Sequence, residues 1–271
     1  MSANVWNPGQ QSTLWDSVNI PYLAVGFGAV TTNVRDKLRE TVSVKDFGVV
    51  GDGVADDTTA FQNAINAAID ANNKTLHIPS GNTYKITGTL IITQGVMLVA
   101  EGSQGSAQDY GTTIIHYSNS DLFVWNGNGI ANKGTGGGLK NVLLLKASGY
   151  AGGNAIKLLA TDDNHRPGEM IFDNVLIYGI SSAQWDRGLL IDGSACTTSG
   201  SKGVRSVNLR KFRVSSCQIA NEYISINQGV HIATHHVQVD QGAGTGACGI
   251  TITGDSDNLL LSGIICNGNL I

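Results

Sequence analysis

The stretch VSVKDFGVVGDGVADDT, residues 42–58, constrains this chain more than any other, because it runs directly into the helix-patterned FQNAINAAIDA. Val42 and Val44, with Asp46–Phe47 behind them, alternate as a short edge strand does. Gly48, Gly51 and Gly53 permit positive φ, so the chain can turn sharply around Asp52. Asp56 or Asp57 is then placed to N-cap a helix over 58–71, its carboxylate accepting from the first free N–H groups. Phe61, Ala64, Ile65, Ala68 and Ile69 fall at helical spacing and form one apolar stripe, and Asn72 and Asn73 suit the exit. Three aspartates this close could hold Ca²⁺, but a helix–loop–helix calcium loop needs further oxygen ligands and a distal Glu, which this spacing lacks. Asp52, Asp56, Asp57, Phe61 and Ile65 are therefore read as a structural cap, and no metal is assigned.

Everything after that helix is β-patterned and rich in glycine. Two kinds of apolar segment alternate beyond residue 110. Leu122–Trp125, Ile156–Leu159, Leu189–Ile191, Ile224–Ile226 and Ile250–Ile252 form one series, starting 34, 33, 35 and 26 residues apart. Val142–Leu145, Val175–Tyr178, Phe212–Val214, Val237–Val239 and Ile264–Ile265 form the other. Such intervals signal an array in which each unit completes its neighbour's core. With two to three short strands per interval and no intervening helix, a β-helix is favoured over an α/β solenoid. A propeller would give similar periods but would leave the single front helix unexplained.

The segment VSVKDFGVVGDGVADDTTAFQNAINAA resembles the opening motif of the pectate-lyase-like, right-handed parallel β-helix superfamily. The preceding IPYLAVGFGAVTTNVRDKLRE, residues 20–40, resembles the connector that precedes this motif in bacteriophage tailspike and tail-fibre proteins. The combined match covers residues 20–70. It implies an all-β fold: a right-handed parallel β-helix over 41–271, capped at its N-terminal end by one short α-helix and preceded by an extended arm over 1–40. It also implies a homotrimer in the phage virion tail, docked on a tail adaptor, hub or baseplate protein. The superfamily includes lyases, glycoside hydrolases and non-enzymatic adhesins, so the motif names no reaction.

Composition agrees with this reading. Gly 35 against Pro 4 suits repeated tight turns, and charged residues at 14% are sparse. A net charge of −4 without a basic stripe argues against nucleic acid as partner. Residues 1–20 lack an apolar signal core, and no run approaches the roughly 18 apolar residues of a membrane span. Synthesis in a bacterial cytoplasm without a signal peptide is expected. Cys196, Cys217, Cys248 and Cys266 show no CxxC spacing and read as small, reduced thiols in the β region. Trp6, Trp15 and Tyr22 supply apolar anchors in a polar N-terminal segment, as an arm that orders by docking would. The last residues look like another rung, so the open edge at Ile271 calls for a longer chain or a covering partner.

Chemistry is harder to place. Glycoside hydrolysis needs two carboxylates about 5–10 Å apart. Asp162, Asp163, Glu169, Asp173, Asp186, Asp192, Glu222, Asp240, Asp255 and Asp257 lie on or beside the rungs, with Asp186, Asp192 and Glu222 as the favoured trio. Stacking is expected to bring Asp192 beside Asn227 and Gly188 beside Glu222, with Asp186 and Glu222 near one groove. In VRSVNLRKFRV, strand parity points Leu209, Lys211 and Arg213 one way and Arg210, Phe212 and Val214 the other, a solvated basic face. His231, His235 and His236 read as surface or corner residues. No cofactor is implied. The expectation is a host-attachment protein recognising surface polysaccharide; the alternative is a depolymerase, hydrolase or lyase, acting on capsule or O-antigen.

Overall fold

A computed structural model of the chain describes residues 20–70, 75–102, 111–127, 136–197, 203–217, 222–240, 249–254, 256 and 258–267. The chain divides into two compact units, with the boundary between Val42 and Ser43. Trp6, Trp15, Cys248, Asp255, Asp257 and the expected helix exit at Asn72–Asn73 lie outside the described residues.

In the first unit, strands β1 (Pro21–Leu23) and β2 (Thr31–Asn33) pair antiparallel, and helix α1 (Val34–Arg39) follows. The Asn33 side chain caps α1 by accepting from Asp36 N–H at 2.8 Å. The described part of the expected extended arm is thus a hairpin and a short helix. It buries none of the side chains of α1, and Val25 and Phe27 in the hairpin loop are fully exposed at 105% and 112%.

The two-residue strand β3 (Val42–Ser43) leads into the second unit. There the expected strand does not continue: Val44–Phe47 is a 3₁₀ helix. The Ser43 hydroxyl accepts from Lys45 N–H, and the Asp46 carboxylate accepts from Ser43 N–H at 2.9 Å. This reciprocal capping outweighs the apolar alternation. After strand β4 (Asp52–Asp56), helix α2 (Thr58–Asp70) buries Phe61, Ala64, Ile65 and Ala68 completely.

The remaining strands coil into three parallel faces. Face 1 consists of β7 (Leu90–Ile92), β10 (Phe123–Asn126), β12 (Asn154–Leu159), β14 (Arg187–Asp192), β16 (Ile224–Asn227) and β18 (Ile250–Thr253), in that spatial order. Phe123 pairs with Ile156, Ile156 with Leu189, Leu189 with Ile224 and Ile224 with Ile250, which is the first sequence series in register.

Faces 2 and 3 share long strands. The strands β11 (Gly137–Lys146), β13 (Gly168–Tyr178), β15 (Val204–Ser215) and β17 (Gly229–Asp240) each bend at a residue with left-handed backbone: Asn141, Asn174, Lys211 and His236, with φ of 59°, 65°, 46° and 58°. The segments before the bend continue β5 (Thr75–Ile78) and β8 (Met97–Ala100) and are followed by β19 (Leu260–Leu261) as face 2. Those after it continue β6 (Asn82–Ile86) and β9 (Thr112–His116) and are followed by β20 (Ile264–Asn267) as face 3. Left-handed backbone costs non-glycine residues energy, and asparagine least. The first two corners use asparagine, and Asn174 Nδ2 donates to Asn141 Oδ1 at 2.9 Å across the rungs.

Inward side chains stack into apolar columns. Tyr84, Ile114, Leu144, Ile177, Val214 and Val239 form one on face 3, all at 0% exposure. An aromatic cluster fills the middle: Phe172 meets Trp125 edge-on at 5.5 Å and Phe212 at 6.3 Å.

Among the described residues, the outermost strand of face 1, β7, has no strand on its far side and lies beside α2. Gln62 of α2 stands in for a neighbouring backbone. Its Oε1 accepts from Ile91 N–H at 2.8 Å, and its Nε2 donates to Ile91 C=O at 2.8 Å. One side-chain amide thereby satisfies both edge groups of that residue.

Candidate functional site

Register on face 2 builds the outer surface residue by residue. Lys140 pairs with Asp173, Asp173 with Arg210, and Arg210 with His235, so these four form an outward ladder about 4.8 Å per step. A parallel ladder runs Gly138, Ile171, Asn208, Ala233. Its small residues at either end leave Ile171 and Asn208 as the floor. Left-handed corners at Glu169, Ser206 and His231 bound one side of this strip, and those at Lys211 and His236 the other. Ile171, Asn208, Arg210 and His235 line a groove of about 460 Å³.

The arginine of this strip differs from Arg187 on face 1 and Arg213 on face 3. Arg187 donates through Nε to Glu222 Oε2 at 2.7 Å, and Arg213 Nε to Asp240 Oδ2 at 2.7 Å. Arg210, exposed in the groove, has no ion pair among the described residues. The strip thus offers a planar guanidinium, an imidazole, a carboxamide and an apolar platform to the solvent.

A second polar cluster is buried. His116 and Lys146 are register partners at the inner end of face 3, 0% and 4% exposed. Lys146 Nζ lies 4.2 Å from the centroid of the Trp185 ring and 3.5 Å from His116 Nδ1 and from Ser120 C=O. The His116 and Trp185 rings stack at 5.5 Å. Burial pulls the lysine down to about 8, against the opposing pull of Asp186 and Asp121. Burial, with the lysine's charge second, pulls the histidine down to about 3.

The residues singled out in the sequence are dispersed. Asp186 and Asp192 flank β14 at opposite ends, roughly 20 Å apart at about 3.3 Å per residue. Asp186 Oδ2 accepts from Gly153 N–H at 2.9 Å, and Asp192 Oδ1 from the Ser194 hydroxyl at 2.6 Å. Asp192 does sit beside Asn227. Gly188 does not sit beside Glu222: Leu189 pairs with Ile224, so the expected neighbour was off by one and Glu222 falls beside Arg187. Asp162 accepts from His165 Nδ1 at 2.7 Å, and Asp163 from Thr197 N–H at 3.0 Å. Tyr22 is half-buried in β1, with Lys37 Nζ 5.8 Å from its ring centroid.

The cap aspartates divide their work. Asp52 Oδ1 accepts from Val54 and Ala55 N–H, both at 2.8 Å, which lowers its pKa. Asp56 accepts from the Thr58 N–H at 3.0 Å at the start of α2 and from the Thr87 hydroxyl at 2.7 Å. Asp57, 1% exposed, turns its carboxylate back to Val50 and Gly51 N–H at 2.6 and 3.0 Å. Gly51, at φ 70°, is obligatory there, because a Cβ would stand 2.8 Å from Tyr84.

Parity in VRSVNLRKFRV fails at the Lys211 corner: Leu209, Phe212 and Val214 are buried, whereas Arg210, Lys211 and Arg213 all face solvent. The face-2 floor was missed for the same reason. Its signal is a polar pair splitting an apolar run, as in Lys140–Asn141, Asp173–Asn174, Arg210–Lys211 and His235–His236.

Residues 41–148 match the family described as Rhamnogalacturonase A/epimerase, pectate lyase-like. Among solved structures, a mutant tailspike protein of E. coli bacteriophage HK620 in complex with pentasaccharide overlays with a TM-score of 0.57 at 14% identity, covering 92% of this chain and 42% of that one. Tailspike protein 3 of bacteriophage CBA120 overlays at 0.53 and 15% identity, covering 91% and 39%. The fold is a parallel β-helix like that of these tailspike structures. At the sequence level, the tail spike protein of Shigella phage Sf6 is 40% identical over 78 residues, which is 27% of this chain and 12% of that protein. Mannuronan C5-epimerase AlgE2 of Azotobacter vinelandii is 38% identical over 73 residues, 27% of this chain and 7% of the epimerase. The chain thus spans well under half of the tailspike structures it overlays, and the stretches it shares with these two relatives are a small part of each.

Proposed function

We propose that this chain is a phage tailspike or tail-fibre protein that attaches to the virion tail through its N-terminal region and presents a β-helix recognising a host-surface polysaccharide. The observation that carries this reading is the face-2 groove, a row of hydrogen-bonding side chains with an apolar floor on a tailspike-type β-helix. Sugars offer hydroxyls to the former and C–H faces to the latter. The similar HK620 tailspike structures are titled as complexes with oligosaccharide, which supports the same ligand class. The N-terminal region docks on a tail adaptor, hub or baseplate protein through Trp6, Trp15 and Tyr22, and the spike is a homotrimer of the virion tail. The unburied Val25 and Phe27 of the first unit support an apolar contact there.

Incubation with host capsule and lipopolysaccharide tests the reading. Saturable binding without shortening of the glycan is the expected result, and absence of binding to any host glycan refutes it. Replacing Trp6 and Trp15 by Ala is expected to abolish retention on isolated tails while leaving glycan binding intact. Cleavage is the second reading, supported by Asp186 and Glu222 lying one position apart on neighbouring rungs. New reducing ends or unsaturated uronates that vanish in Asp186→Asn or Glu222→Gln would put cleavage first.

A further inference from the structure

We propose that Arg210 and His235 form an anion subsite in the face-2 groove, one that selects a sugar carrying a carboxylate or phosphate. The inference rests on the glycan-binding reading and narrows it to a charge class.

Three observations converge on this subsite. Arg210 and His235 are direct register partners on adjacent rungs, both exposed, and both line the groove. Their side chains therefore start about 4.8 Å apart, a spacing that one anionic group can bridge. Arg187 and Arg213 each have a carboxylate of this chain, whereas Arg210 has none among the described residues. A guanidinium is a rigid fork of donors that matches carboxylate and phosphate bidentately. The third observation is the surroundings of the pair. Asn208 pairs with Ile171 on the floor, giving an amide for a ring hydroxyl beside an apolar surface for a pyranose face. Exposed Lys211 at the next corner adds positive potential on the same side.

The only acid in the ladder is Asp173, on the opposite flank of Arg210 from His235. It orients the ligand, repelling the anionic group toward the Arg210–His235 side and accepting from neutral hydroxyls on its own. His235 contributes an N–H donor whether its ring is neutral or protonated.

The test uses the full chain on an array of bacterial capsular and O-antigen polysaccharides with neutral, uronate and phosphate repeat units. Binding is expected only on charged repeats. The strongest-binding glycan is then titrated before and after carbodiimide–borohydride reduction of its carboxylates, and before and after removal of its phosphates. The treatment that weakens binding at least tenfold identifies which anion the subsite takes. Arg210→Gln is expected to weaken the untreated glycan at least tenfold and His235→Gln about threefold or more, with Lys157→Gln on face 1 as the equal-charge control. Equal binding to neutral repeats, an unchanged affinity in Arg210→Gln, or an equal loss in Lys157→Gln overturns the subsite while leaving glycan recognition standing. No binding anywhere on the array overturns both. Unfolding midpoints of the variants within error of the parent ensure that each loss is one of contact.

Discussion

The β-helix carries two polar columns built by one stacking rule, and they behave oppositely. Lys140, Asp173, Arg210 and His235 succeed one another up the outside of face 2. His116 and Lys146 succeed one another at the inner end of face 3, with the Trp185 ring against both. In each, parallel register forces neighbouring side chains to within about 5 Å. Outside, water screens the charges, so the ladder is inexpensive to maintain and open to a ligand. Inside, the same proximity disfavours both charged forms, and the ring stack must accommodate a cation with few acceptors. Register decides which residues meet; the side of the sheet decides what the meeting does.

The largest expected effect concerns Lys146. Its pKa falls from 10.5 in the unfolded chain to about 8 in the fold, so between these values the unfolded state binds more protons. Stability therefore rises as pH increases from 8 to 10.5, by roughly 3 kcal/mol at most. Lys146→Met should remove that rise and, at pH 7, raise stability by about 1–3 kcal/mol, since an apolar chain of similar length replaces a buried charge. Urea midpoints at pH 7, 8.5 and 10 measure it; a parent protein with no alkaline gain would mean that the column is hydrated like the outer one.

His116 supplies the acid arm of the same contrast. Its folded pKa of about 3 lies below the ordinary 6.5, and the folded state holds it neutral. Stability present above pH 6.5 is lost as pH falls toward 3, amounting to about 2 kcal/mol by pH 5. His116→Phe keeps a ring against Trp185 without a titratable group, and its stability should be flat across pH 5–7 relative to the parent. A His116→Phe variant that kept the parent's acid response would erase the distinction between the columns.

Gln62 marks the boundary where inside becomes edge. Gln62→Ala leaves the Ile91 N–H and C=O without their protein partner while keeping the helix, at a cost of about 1–2 kcal/mol. Gln62→Glu keeps the acceptor for the N–H but loses the donor to the C=O, and should lie between the two. Amide hydrogen exchange at Ile91 reads the effect directly, with faster exchange expected in Gln62→Ala.

How far all this was legible in the sequence follows from which forces act locally. Faces 1 and 3 were readable because Phe123, Ile156, Leu189 and Ile224 repeat at nearly constant intervals, as do Val142, Val175 and Phe212. Face 2 was hidden, because a left-handed residue resets strand parity without any glycine to announce it. Lys211 looks like a charged strand residue and is a corner, whereas His236 is the corner its reading as a surface or corner residue allowed. Asp57 looked like a helix cap, but two N–H groups six and seven residues upstream claim its carboxylate through a loop closure that local pattern does not encode. The expected neighbour of Gly188 was off for a related reason: the register sets Tyr223 beside it and gives Glu222 to Arg187. The buried column had no sequence signal, since Lys146 ends an apolar run where an outward lysine is the usual reading.

The smallest expected effect completes the comparison. Arg210→Gln should change stability by less than about 0.5 kcal/mol, because an exposed side chain without a carboxylate partner has little to lose. Arg210→Glu is the sharper variant. It places a carboxylate directly beside Asp173 on the next rung, a like-charge cross-strand pair that costs up to about 1 kcal/mol at low salt. That cost should shrink in 0.5 M NaCl, where exposed charges are screened within a few ångströms. Lys146 offers the converse: its pH response should persist in the same salt, because ions do not enter the column. A salt-sensitive loss at 210 beside a salt-insensitive pH response at 146 would separate the two sides of a single β-sheet rule by solvent access alone. If Arg210→Gln instead destabilised the fold by more than 1 kcal/mol, the guanidinium would be structural, and the outer ladder would have to be treated as part of the framework rather than as a surface kept open for a ligand.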